Sequence, residues 1–183
     1  HCLEGYSSQV TCLAWSSDGQ KIACGTDERL IRLWSLDQPL AVTMIQGHTG
    51  LVHSVKFGWN DHVVVSAGRD QTVRLWGVRS GCELRALTGH QGAVYVAGVS
   101  PDGNVIASGG MDGHLILWDA ATGDILQVIR AHVGGVLSLI FSHDGQMVIS
   151  GGADESICLW QTENGRPLGQ FWACKGVIRD LAL

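Results

Sequence analysis

The sequence lacks the marks of a nucleic-acid binder, a membrane protein or a metal protein. It carries 12 Lys and Arg against 17 Asp and Glu, a formal net charge of −5, and no Lys/Arg cluster. Non-specific nucleic-acid binding needs a basic stripe that displaces counterions, so no direct nucleic-acid binding is expected. The longest apolar run, Ala93 to Val99, falls far short of the roughly 18 residues of a membrane span, so no membrane insertion is expected. No secretory signal or targeting tail is visible. The six cysteines, at 2, 12, 24, 82, 158 and 174, form no Cys-x-x-Cys pair, and most sit in apolar runs. That usage reads as buried, reduced thiols in an intracellular protein, cytoplasmic or nuclear. Helical periodicity is missing as well. The chain starts at His1 without an initiator Met and is read as an excerpt of something longer.

What is present is a repeat. Trp34, Trp76, Trp118 and Trp160 recur every 42 residues with no insertion or deletion. The same interval relates Ser66, Ser108 and Ser150, then Asp70, Asp112 and Asp154, then His48, His90 and His132. The clearest unit opens on Gly89-His90. It runs through Val94 to Val99, the turn Pro101-Asp102-Gly103, Val105 to Ala107 and Leu115 to Leu117, and closes on Trp118-Asp119. Short β-rich runs joined by tight turns predict an antiparallel meander. A period in the low forties with a Gly-His opening and a Trp-Asp close is the signature of a four-stranded propeller blade. On these residues the chain resembles the WD-repeat β-propeller family. Only Trp118-Asp119 shows the literal dipeptide; the other units read Trp34-Ser35, Trp76-Gly77 and Trp160-Gln161.

The expected fold is therefore all-β, a β-propeller of four-stranded antiparallel blades. About four blades are expected, at approximately 5–46, 47–88, 89–130 and 131–172, with 173–183 starting a fifth. His1 to Leu3 read as the end of an outer strand, and Val177 to Leu183 as an innermost strand. Asp18-Gly19, Asn60-Asp61, Asp102-Gly103 and Asp144-Gly145 supply turns between first and second strands, and Gly81, Gly123 and Gly165 between third and fourth. A single blade cannot bury two apolar faces, so neighbours must stack. Propellers of this family close with about six to eight blades. The remaining blades are expected from further sequence or, less readily, from another chain.

One constellation looks like chemistry. His48, Ser66 and Asp70, with their two repeats, form the residue set of a hydrolase triad. A triad needs one exposed Ser and an oxyanion hole. Here the set occurs three times, each copy tied in register to a Trp. The family resemblance implies a structural chain instead: Asp accepts from the His ring, and the other His nitrogen bonds the Ser hydroxyl. That hydroxyl in turn accepts the indole N–H of Trp76, Trp118 or Trp160. The first repeat carries Tyr6, Cys24 and Glu28 at these positions and keeps only Trp34, so it is expected to lack the network and to be the weakest. His53, His62, His114 and His143 share no ligand spacing and read as solvated turn or strand-end residues. Gly109-Gly110 and Gly151-Gly152 precede an Asp turn, not a helix, so they are not phosphate loops. No cofactor or metal is expected.

The resemblance also implies partner binding on the narrow top face. Two positions per unit project there: Gln9 and Asp27, Leu51 and Arg69, Ala93 and Met111, Gly135 and Ala153. The candidate partner-binding residues are Gln9, Asp27, Leu51, Arg69 and Met111, with Tyr95 near the channel mouth. Exposed Leu51 and Met111 beside Arg69 would make an apolar-plus-arginine anchor set. The expected function is a non-enzymatic scaffold that binds proteins or peptides within a multiprotein assembly. The alternative is a regulatory or sensor propeller of a larger protein whose catalytic or nucleotide-binding part lies elsewhere. A propeller enzyme would need a unique acid or metal cluster at the axis, and near-identical repeats offer none.

Overall fold

The computed structural model describes residues 8–172 and 176–182, without the side chains of residues 39 and 40. The readings made for His1 to Leu3, Cys2, Tyr6, Cys174 and Leu183 lie outside these residues. The described chain forms four separate four-stranded antiparallel sheets. The first holds β1 (Val10–Trp15), β2 (Lys21–Thr26), β3 (Ile31–Ser35) and β4 (Gln38–Ile45). The second holds β5 (Val52–Gly58), β6 (Val63–Gly68), β7 (Thr72–Gly77) and β8 (Glu83–Thr88). The third holds β9 (Val94–Val99), β10 (Val105–Gly110), β11 (His114–Asp119) and β12 (Ile125–Arg130). The fourth holds β13 (Val136–Phe141), β14 (Met147–Gly152), β15 (Ser156–Gln161) and β16 (Pro167–Trp172). Each sheet is a simple meander in chain order.

The sheets stack face to face through their inner strands, with β1 beside β5, β5 beside β9 and β9 beside β13. Burial follows from this sandwiching. Every residue of β6 is buried, because both of its faces meet a neighbouring sheet. Ala23, Leu33, Val52 and Trp76 pack between the first two sheets. Val65, Leu75, Val94 and Trp118 pack between the second and third, and Ala107, Leu117, Val136 and Trp160 between the third and fourth. Trp118 is 1% exposed, and truncating such a side chain to Ala costs about 3–5 kcal/mol. Close stacking also needs small residues on the second strand. A Cβ at Gly109 would stand 2.4 Å from Val136 Cγ1 of the next blade. The glycine pairs that precede the Asp turns are thus the ends of β10 and β14.

Ile178 takes the corresponding place against Gly151, and its N–H donates to the Gly152 carbonyl at 3.1 Å. Residues 177–182 therefore lie where a next first strand would lie, but they form no strand. The reading of an innermost strand is corrected here. A strand is defined by a ladder, and no described strand flanks this segment on its other side. At the opposite end, Val10, Leu13 and Trp15 are exposed, while Val55 and Ala97, the counterparts of Leu13, are 1% exposed. Among the described residues nothing covers that face of the first blade.

The turn between β5 and β6 departs from the others. Gly19, Gly103 and Gly145 each supply one left-handed residue, whereas Trp59, Asn60 and Asp61 are left-handed in succession, with φ of 48°, 51° and 65°. Contacts on both sides hold this strained turn. The Asp61 carboxylate accepts from the Ser17 amide (2.9 Å), the Ser17 hydroxyl (2.6 Å) and the Asp18 amide (3.2 Å). The Trp59 indole donates to the Gly103 carbonyl in the third blade.

Candidate partner-binding face

The loops that precede each first strand, and the turns between second and third strands, share one end of the stack. A buried polar chain sets their positions. In the second blade His48 Nδ1 lies 2.8 Å from Asp70 Oδ2, and His48 Nε2 lies 2.7 Å from Ser66 Oγ. The Trp76 indole donates to the same hydroxyl at 2.8 Å. In the third blade His90 stands 2.9 Å from Asp112 and 2.8 Å from Ser108, which accepts from Trp118 at 2.8 Å. In the fourth, His132 stands 2.9 Å from Asp154 and 2.8 Å from Ser150, which accepts from Trp160 at 2.9 Å. A neutral imidazole protonated at Nδ1 satisfies every link: it donates to the carboxylate and accepts the Ser proton at Nε2. Each carboxylate also accepts the amide after its His, from Thr49, Gln91 and Val133.

Electrostatics fit this protonation. Burial alone would raise the Asp112 carboxyl, but the Gln91 and His114 amides and the His90 ring outweigh it and hold it below its ordinary value. Asp70 and Asp154 are likewise held low, against their burial, by amides, hydroxyls and the facing His. Burial pushes His90 below its ordinary value despite the attraction of Asp112.

Three glycines at the ends of β6, β10 and β14 make room for this chain. A Cβ at Gly68, Gly110 or Gly152 would stand 2.6, 2.9 or 2.3 Å from Nδ1 of His48, His90 or His132. Their shared 42-residue interval is the signal that reveals them. The first blade carries buried Thr26 at this position. There Glu28 pairs with Arg32 at 3.2 Å, and Arg32 also donates to Ser8 at 2.7 Å. Cys24, in the serine position, is buried. Among the other described thiols Cys158 is buried, Cys12 half-buried and Cys82 exposed, so Cys82 departs from the buried reading.

The two projecting positions of each unit are joined by backbone. The N–H of Asp27, Arg69, Met111 and Ala153 donates to the carbonyl of Gln9, Leu51, Ala93 and Gly135 at 3.1, 2.8, 2.8 and 3.0 Å. Gln9 and Asp27 are exposed, and the Asp27 carboxylate accepts from the Gln9 amide at 3.0 Å. Arg69 and Met111 are exposed, Met111 at 60%, while Leu51 is half-buried rather than exposed. Tyr95 packs edge-on against His53, ring centroids 5.1 Å apart. Burial chiefly, and secondarily the Arg69 charge, push the His53 ring below its ordinary value. A Cβ at Gly135 of the fourth blade would stand 3.5 Å from Met111 Cα and 3.7 Å from the Tyr95 ring. His53 and Tyr95 thus join the second and third blades, with Arg69 and Met111 near them, and Gln9 with Asp27 form a separate pair on the first.

His53 is the residue the sequence reading missed, since it is half-buried against Tyr95 rather than a free strand-end residue. Its signal was the interval linking Thr11, His53, Tyr95, Leu137 and Arg179, which together line a concavity of about 480 Å³ walled by the inner strands. No group of three or more His, Cys, Asp or Glu among the described residues is gathered as for a metal ion. No helix of the described chain is long and apolar enough to cross a membrane.

Comparison with known proteins agrees with this geometry. The family model for the WD domain, G-beta repeat, matches residues 1–35, 39–77, 81–119 and 123–161. Each later unit spans the last strand of one sheet and the first three of the next, so the sequence repeat interlocks neighbouring blades. Meiotic fizzy-related protein 1 of Schizosaccharomyces pombe is 31% identical over 67 residues, 37% of this chain and 15% of that protein. Anaphase-promoting complex subunit cdc20 of Dictyostelium discoideum is 32% identical over 68 residues, 37% of this chain and 13% of that protein. The human U5 small nuclear ribonucleoprotein 40 kDa protein is 34% identical over 69 residues, 38% of this chain and 19% of that protein. The match thus spans less than a fifth of the length of these relatives. With four repeats in register and four blades built from them, the chain belongs to the WD-repeat family of β-propellers.

Proposed function

We propose that this chain is a non-enzymatic protein-interaction module of a multiprotein assembly, and that it binds a protein or peptide on the face carrying Leu51, Arg69, Tyr95 and Met111. The observation that carries this reading is the His53–Tyr95 contact between two blades, with Arg69 and exposed Met111 on the same face. This face carries a cation, two aromatic rings and an exposed thioether, the chemistry of interface anchors, and buried networks keep it rigid. A non-enzymatic role is supported by the fate of the catalytic-looking serines: Ser66, Ser108 and Ser150 are 0% exposed and already bond a His and an indole. The names of two relatives, a subunit of the anaphase-promoting complex and a protein of the U5 ribonucleoprotein, speak of assemblies. Buried thiols suit an intracellular setting. We take the blades as 5–46, 47–88, 89–130 and 131–172.

Affinity capture with quantitative mass spectrometry tests the reading. The wild-type chain, the double variant Leu51→Ala with Arg69→Ala, and the opposite-face control His143→Ala are compared. A partner retained by wild type and control but lost from the double variant is expected. Equal retention by all three would overturn the top-face assignment.

The uncovered face at Val10, Leu13 and Trp15 favours a second reading, that further blades of the same polypeptide cover it as part of a larger regulatory protein. Sequencing the reading frame on both sides tests this: additional WD repeats are expected, and flanking stop codons would contradict it.

A further inference from the structure

The internal repeat supplies its own template for a second site, on the side of the stack and independent of the face described above. At each blade boundary a residue of the outermost strand reaches over a glycine in the next blade. Thr43 meets Gly81, Arg85 meets Gly123 and Gln127 meets Gly165. At the second boundary the Arg85 guanidinium donates to the carbonyls of Ala121 (2.7 Å) and Thr122. At the first boundary Thr43 is too short to do the same.

The receiving loop is nonetheless built alike. Gly77 and Gly81 N–H bond the carbonyls of Cys82 and Gly77, as Asp119 and Gly123 bond those of Asp124 and Asp119. The same turn presents the carbonyls of Arg79 and Ser80 where Arg85 finds those of Ala121 and Thr122. The Ser80 carbonyl meets only the Cys82 thiol, at 3.6 Å, among the described hydrogen bonds. A cavity of about 430 Å³ lies beside this loop, lined among others by Trp34, Thr43, Val78, Arg79, Asp18 and Asp61.

The geometry points to a docking site for an arginine side chain of a partner protein between the first and second blades. Its guanidinium would donate to the Arg79 and Ser80 carbonyls, and its stem would lie along Trp34 and Val78. Two carboxylates, Asp18 and Asp61, face the cavity, and the strained turn holds Asp61 in place. Two cations, Lys21 and Arg79, also line it. Lys21 is engaged by Asp18 at 3.4 Å, and Arg79 is exposed at the rim. Recognition therefore rests on directed hydrogen bonds and shape more than on net charge.

Nuclear magnetic resonance titration of the full chain tests this with N-acetyl-arginine amide as probe and N-acetyl-citrulline amide as its neutral counterpart. Saturable shifts are expected at the Trp34 indole and the Thr43 and Gly81 amides, with the citrulline probe at least ~10-fold weaker because its ureido group has fewer and weaker donors and sets an oxygen where a donor is needed. The variant Thr43→Arg places the guanidinium in cis and is expected to abolish the shifts. Thr43→Gln, which copies Gln127, serves if Thr43→Arg does not fold and should also weaken them. Absence of saturable shifts, equal binding of both probes, or shifts unchanged in a folded Thr43 variant would overturn the proposal.

Discussion

Removing Asp112 is the sharpest perturbation of the polar chain in the third blade. Its carboxylate accepts from His90 Nδ1 (2.9 Å) and from the amides of Gln91 (2.8 Å) and His114 (3.0 Å). In Asp112→Ala the amides lie where water can replace the carboxylate. His90 does not, since its side chain is 1% exposed. The stranded His90 donor dominates, at ~1–3 kcal/mol. For a domain of this size that lowers the thermal midpoint by roughly 2–12 °C. The other blades give a ranking. His132 Nδ1 lies 3.0 Å from Ser156 Oγ, a ready substitute acceptor, and Asp154 is the more exposed carboxylate at 17% against 8%. His48 has the Thr72 hydroxyl at 3.4 Å, a poorer substitute, and the third blade has a histidine, His114, at that position. Asp112→Ala should therefore cost most, Asp70→Ala less and Asp154→Ala least. Denaturation of the three variants, followed by circular dichroism, measures this. An unchanged midpoint for Asp112→Ala, or a larger loss for Asp154→Ala, would refute the reasoning.

Two further outcomes follow from the same networks. His90 is held below its ordinary value when folded, so its contribution is complete above about pH 6.5 and declines as pH falls. The lowered carboxyls of Asp70, Asp112 and Asp154 contribute above about pH 4 and lose that contribution below it. A plot of midpoint against pH should be level near pH 7–8, decline gently below 6.5 and steepen below 4; a midpoint that rises on acidification would contradict the assignment. Hydrogen exchange should be faster in β1 than in β9, since Leu13 and Trp15 are exposed and the first blade lacks the His–Ser–Asp chain. Equal or slower exchange in β1 would sink that expectation.

Much of the fold was legible because the repeat has no slip: Trp, His, Ser and Asp types stand out at a fixed interval, and polar types in apolar runs announce buried bonds. The strand ends were less legible. Gly109-Gly110 and Gly151-Gly152, legible only as preceding the Asp turns, continue β10 and β14; Val136 and Ile178 leave no room for a Cβ at Gly109 and Gly151, and His90 and His132 leave none at Gly110 and Gly152. Gly68 went unnoticed for the same reason, since a missing side chain gives no signal until its neighbour is known. His53 was read as solvated because it has no partner in sequence; its partner Tyr95 comes from the next blade. The cavity at Thr43 is defined by what Arg85 does one blade on, and only the structure shows that Arg85 bonds the Ala121 and Thr122 carbonyls. The loss of strand character at residues 177–182 was equally hidden, because a ladder depends on neighbours and not on composition.

The most direct test of the interaction-module account is the affinity of the captured partner for two proteins, wild type and the Leu51→Ala, Arg69→Ala double variant, measured by calorimetry. A few anchors dominate interfaces, so the account predicts binding ~10-fold weaker or more in the double variant. Its melting midpoint should fall by no more than a few degrees, because the backbone bond between Leu51 and Arg69 is kept and Leu51 is only half-buried. Equal affinity for both proteins would contradict the account and move the binding surface away from this face.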